Sequence, residues 1–139
     1  MIILDTNVLS ALMREAPEAR IVDWVNRQPP ESIWITSVTL FEVRLGLALL
    51  PSGRRRRTLE ASFTGLLEHD LDNRVLDFDA AAATEAASLA AERQKAGRPV
   101  DLRDTQIAGI ALARRGTLAT HNVRHFHGLR VPLVDPWQA

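Results

Sequence analysis

The opening Met1-Ile-Ile-Leu-Asp-Thr-Asn7 restricts the fold most, because an apolar run of strand length stops there at an acid, a hydroxyl and an amide. Ile2, Ile3 and Leu4 are apolar without alternation, as in a strand covered on both faces in a parallel sheet. Thr6 and Asn7 suit the start of a helix, and Val8, Leu9, Ala11 and Leu12 supply its apolar face. Asp5 is therefore expected at the carboxyl end of a buried strand, where open α/β sheets place their ligand crevice. A short acid between strand and helix is also a common N-cap, and this stretch alone favours the cap.

The same alternation continues along the chain. Further strands are predicted at Ile33-Trp-Ile-Thr36, Val75-Leu-Asp-Phe78 and Thr117-Leu-Ala-Thr120, with Val131-Pro-Leu-Val134 at an edge because of its proline. Ile21, Val22, Trp24 and Val25 recur with helical spacing, and a helix over residues 40–50 can be capped by Ser37 or Thr39, which puts Glu42 in its opening turn. Arg54-Arg-Arg-Arg57 opens an amphipathic helix, and Asp79 or a neighbouring residue starts an Ala-rich helix that runs to about Ala96, its alanine density implying close helix packing. Asp101 is the expected N-cap of a buried helix, with Asp104 in the first turn. Strands alternating with helices imply one α/β domain over residues 1–139, a central parallel sheet of four to five strands sandwiched between helices.

Composition narrows the function. Seventeen basic residues balance seventeen acidic ones, so no overall positive field attracts nucleic acid, and any such contact must be local. The Arg54 to Arg57 run reads as a solvated helix face, in a chain whose basic residues are almost all arginine. Absence of cysteine excludes disulfides and thiolate metal sites. No apolar stretch approaches the roughly 20 residues that span a bilayer, and there is no signal peptide, so a cytoplasmic location without membrane contact is expected. Ala-rich and Leu-rich helices on a neutral surface leave apolar faces that a homodimer would cover.

Three acids stand where this fold would bring them together: Asp5 after strand one, Glu42 in the helix after strand two, Asp104 in the helix before strand four. Each has a local explanation as a cap or a dipole partner. Jointly they need a cation, and oxygen-only ligands suit magnesium or manganese, the ions of metal-assisted displacement at phosphorus. The sequence carries no nucleophile elbow and no phosphate-binding glycine loop. His121, His125 and His127 are expected to be loop histidines.

With these residues in view the chain resembles the PIN-domain ribonucleases, and among them the VapC toxins of type II toxin–antitoxin pairs, the subgroup that includes FitB. The resemblance is carried by Ile3-Leu-Asp-Thr-Asn-Val8, Ser37-Val-Thr-Leu-Phe-Glu-Val-Arg-Leu-Gly46, Asp101-Leu-Arg-Asp-Thr-Gln-Ile-Ala108, and Leu118-Ala-Thr-His-Asn-Val-Arg-His-Phe126 through Asp135-Pro-Trp137. It implies an endoribonuclease toxin dependent on magnesium or manganese, with Asp5, Glu42 and Asp104 as catalytic, metal-binding acids, and with Thr6, Asn7 and Asn122 lining the site. It also implies a small VapB-like antitoxin as partner, RNA as substrate, and operator DNA reached only through the antitoxin. The family's fourth acid falls at Asn122 or His125, where this chain has none, and we take that departure as tuning. Two rivals remain. One is a catalytically weak module acting in an antitoxin-bound, DNA-docked autorepressor; the other is a haloacid-dehalogenase-type phosphatase, which needs an Asp where Asn7 stands.

Overall fold

The computed structural model describes residues 1–139. Its frame is a five-stranded sheet, every pairing parallel. Strand β1 (Ile2–Leu4) lies at the centre between β2 (Ile33–Thr36) and β4 (Thr117–Ala119), with β3 (Val75–Leu76) and β5 (Leu133–Val134) at the edges. Both edge strands are shorter than the sequence suggests. Beyond Leu76 the backbone leaves the ladder, and the Phe78 amide donates to Ser37 Oγ at 3.1 Å instead. At the other edge Pro132 has no amide to donate and only accepts, from Leu118 N at 2.9 Å.

Six helices cover the sheet. Ile2, Leu4, Ile33, Ile35 and Ala119 face one core with α1 (Thr6–Met13), α2 (Ala19–Asn26), α3 (Ser37–Leu49) and α4 (Arg54–Gly65). Ile3, Leu76 and Leu118 face the other, with α5 (Ala80–Lys95) and α6 (Leu102–Arg114). The uninterrupted apolar run of β1 is thus explained by two covered faces, as expected for a parallel sheet.

Strands pass into helices almost without loops, and that places the polar residues. Asp5 follows β1 directly and caps α1, its Oδ1 accepting from Thr6 N at 2.9 Å. Thr36, the last residue of β2, caps α3 by accepting from Thr39 N at 3.0 Å. Neither Ser37 nor Thr39 is the cap, and α3 starts three residues before the predicted position, so Glu42 lies in the second turn, not the opening one. The helix dipole therefore explains Glu42 less well than the sequence implied. Asp79 and Asp101 do cap α5 and α6, accepting from Ala82 N at 3.0 Å and Asp104 N at 2.9 Å.

Alanine density does mark close packing. A Cβ added at Gly109 of α6 would stand 2.6 Å from the Ala82 carbonyl oxygen and 2.7 Å from the Ala86 Cβ of α5. The first contact is with backbone, which cannot swing aside. Gly109→Ala should therefore destabilise the protein by about 2 kcal/mol, the usual cost of overpacking, seen as a melting temperature several degrees lower. Gly46→Ala on α3 meets nothing within 4 Å and should stabilise by roughly 0.5 kcal/mol. Equal melting temperatures for the two variants would refute the close α5–α6 approach.

Candidate active site

Parallel register builds the site. Leu4 pairs with Ala119, and Asp5 N donates to Ala119 O at 2.9 Å, so Asp5 and Thr120 leave the sheet side by side. Asp5 is only 5 % exposed, and its Oδ2 accepts from Thr120 Oγ1 at 2.8 Å and from Asn7 Nδ2 at 3.1 Å. Asn7 Nδ2 also reaches Thr120 Oγ1 at 3.2 Å, and Asn7 Oδ1 accepts from His121 N at 3.0 Å. The amide of Asn7 thereby fastens the start of α1 to the turn after β4. Thr120 Oγ1 further accepts from Asn122 N at 3.0 Å. The sequence pointed to Thr6, Asn7 and Asn122 but missed Thr120; its signal was the register, a hydroxyl ending the strand beside β1.

Glu42 comes in from α3. Its Oε1 accepts from Thr6 Oγ1 at 3.2 Å, and its Oε2 lies 3.6 Å from Arg103 Nη1. Arg103 rests in turn over the exposed ring of Phe41, 5.4 Å from its centroid. Asp104, next to Arg103 in the first turn of α6, meets His125 Nδ1 at 3.0 Å through its Oδ2. His125 was expected to be a loop histidine and does lie in the connection after β4, but the segment Val123–Phe126 folds back so that its ring reaches the third acid. His121 and His127 stay apart from the acids. His121 packs on Trp137, ring centroids 4.5 Å apart, with its Nδ1 3.4 Å from Asp135.

All three acids are harder to ionise than usual. Burial raises Asp5, against the pull of its bonds from Thr120, Thr6 and Asn7. Burial also raises Glu42, with repulsion from Asp5 adding to it and Thr6 and Arg103 opposing. Asp104 rises to about 6, through burial first and then repulsion from Asp101 and Asp5, partly offset by His125. Asp5 acts on both other acids, so the three share one electrostatic field. Their donor chemistry, carboxylate oxygens only, fits a hard divalent cation. As they stand, each is held by partners within the chain, and no three acidic or histidine side chains close on a common point.

The Arg54 to Arg57 run is remote from this crevice. Arg54 and Arg55 line a groove with Met13, Arg14 and Glu15 at the far end of α1 from Asp5, and Arg56 pairs with Glu60 at 2.6 Å.

The PIN domain family pattern matches residues 2–129. The chain is 37 % identical to the plasmid stability protein StbB of Pseudomonas syringae pv. tomato, over all of both chains. It is 33 % identical to the VapC ribonuclease Y4jK of Sinorhizobium fredii, over 99 % of each. Among solved structures it is similar to FitAB bound to an IR36 DNA fragment, with TM-score 0.88 and 31 % identity, covering 99 % of this chain and 96 % of that one.

The raised acid gives a prediction of definite sign. Asp104 binds its proton more tightly folded (about 6) than at its ordinary 3.8. Its contribution to stability is therefore complete below pH 3.8 and is lost as pH rises through about 6. In metal-free buffer, Asp104→Asn should be more stable than the parent at pH 8, by on the order of 1 kcal/mol after solvent screening, and nearly equal to it close to pH 4. Urea unfolding at both pH values checks this; equal stabilities at pH 8 would show that the carboxylate bears no burden there.

Proposed function

The chain belongs to the PIN-domain family as a VapC-type ribonuclease toxin, and we propose that it hydrolyses RNA phosphodiester bonds with a magnesium or manganese ion held by Asp5, Glu42 and Asp104. The observation that carries this reading is the shared field of three carboxylates, each raised and with no lysine or arginine on the most buried of them. A divalent cation relieves that repulsion and, when bound, supplies Lewis acidity toward the phosphodiester and makes water a better nucleophile.

The residues of the chain do the positioning. Asp5 is fixed by three neutral donors, which orient its carboxylate without neutralising it. Thr6 keeps one Glu42 oxygen in place by its hydroxyl hydrogen, and Asn7 holds the turn after β4 against α1. Asn122, pinned by its amide to Thr120, stands in the segment where the family's fourth acid belongs. Arg103 beside Glu42 and His125 beside Asp104 hold the two outer carboxylates in place.

Partners follow the relatives. The FitAB complex was solved on DNA, and we assign this chain a small VapB-like antitoxin that covers the site and carries the pair to operator DNA. Exposed Phe41, Leu49 and Leu102 offer apolar surface for a homodimer or a larger assembly with the antitoxin. No helix is long and apolar enough to cross a membrane.

Purified protein should cleave single-stranded RNA when magnesium or manganese is added, and Asp5→Asn should lower the rate by at least about 100-fold while leaving the fold intact by circular dichroism. Metal-independent cleavage, or full activity in that variant, would sink the assignment; absence of all cleavage would favour the autorepressor module.

Three acids leave a formal charge of minus three, so one ion should dominate and bind less tightly than in a four-acid relative. Asn122→Asp or His125→Asp should lower the metal concentration for half-maximal cleavage and raise the calorimetric affinity for manganese. Unchanged metal dependence in both variants would mean that the fourth acid is not missed.

A further inference from the structure

Resting on the proposed nuclease reading, we infer that Arg93, a partly exposed residue near the end of α5, is a positioning residue for the Asp104–His125 pair. Its Nη2 donates to the His125 carbonyl and to the His127 carbonyl, both at 2.9 Å, and its Nη1 to the Pro99 carbonyl at 3.4 Å. Pro99 lies in the connection leading to the Asp101 cap and Asp104, whereas His125 and His127 lie in the segment after β4 and Thr120. One guanidinium thus bridges the two segments whose side chains meet at the Asp104–His125 contact of 3.0 Å.

Three features make this a built clamp. Arg93 has no carboxylate within salt-bridge distance, so its donors are committed to neutral carbonyls, whose spread suits the planar fork of arginine and not the point charge of lysine. The neighbouring Glu92 pairs with Arg130 at 3.2 Å, tying the far end of the same segment to α5. Phe126, between the two clasped carbonyls, is fully buried, so the segment cannot slide along the helix. Backbone carbonyls held from behind fix the direction of the His125 ring in front. A histidine on an untethered loop would sample other rotamers and leave Asp104 free to point elsewhere.

The experiment combines kinetics with a measurement that needs no activity. In metal-free protein at fixed pH, the side-chain resonances of His125 and their three-bond couplings should report one χ1 rotamer, the one that reaches Asp104; in Arg93→Gln they should average over several. In the presence of magnesium or manganese, Arg93→Gln should lower kcat about tenfold with KM within about twofold, and Arg93→Lys, able to keep one carbonyl bond, should fall between. Glu92→Gln, which breaks the neighbouring ion pair, should change kcat less than about twofold. If Arg93→Gln does not fold, Arg93→Lys decides by the same two readouts. Parent-like His125 resonances in a folded variant overturn the proposal, whatever the kinetics. So does a loss in Glu92→Gln equal to that in Arg93→Gln, which would mean general loosening. A parent that cleaves no RNA overturns the nuclease reading, and the resonances then decide the clamp on their own.

Discussion

A carboxylate buried at a strand end without a basic partner is the constraint on which this molecule turns. Asp5 is nearly inaccessible and keeps its place through neutral donors from Thr6, Asn7 and Thr120. Such an arrangement orients charge and leaves most of it uncancelled, which is expensive in a fold of ordinary stability. The expense is met by packing elsewhere: β1 has a core on each face, and its neighbours β2 and β4 are also covered. A surface sheet could not carry the same group, because water would screen it and nothing would hold its direction.

Much of this was legible in the sequence. The covered strands 2–4 and 33–36, all but the last residue of 117–120, the caps Asp79 and Asp101, and the alternation of strands and helices follow from apolar runs and their polar terminators, since burial on two faces leaves no room for polar residues. Asp5, Glu42 and Asp104 could be singled out as acids in apolar surroundings. Contacts that depend on register and on chain reversal were not legible. Thr120 matters because it is one step beyond the Leu4–Ala119 pair, and His125 because a buried Phe126 turns the backbone toward α6. The start of α3 was misplaced because Thr36 serves both as the last strand residue and as the cap, which propensity, reading one state per residue, does not foresee.

Internal partners give the acids a resting arrangement. Arg103 beside Glu42 and His125 beside Asp104 lower the repulsion in the free protein while keeping both carboxylates close to Asp5. Arg103 belongs to α6 and His125 to the segment after β4, so the geometry of this resting arrangement depends on how firmly those elements are packed. The close contact of Gly109 with α5 leaves α6 no slack against its neighbour.

The bond from Thr120 to Asp5 joins residues 115 positions apart. On the ribosome, β1 emerges before β4 and waits for that second neighbour while α1 to α6 are made. Until β4 arrives, one long side of β1 lacks its ladder, and the Asp5 carboxylate lacks the hydroxyl and the turn that orient it. A nascent or prematurely terminated chain therefore exposes its first acid to solvent instead of presenting a finished crevice. The topology ties assembly of the site to the arrival of β4, after all the helices between it and β1 have been made.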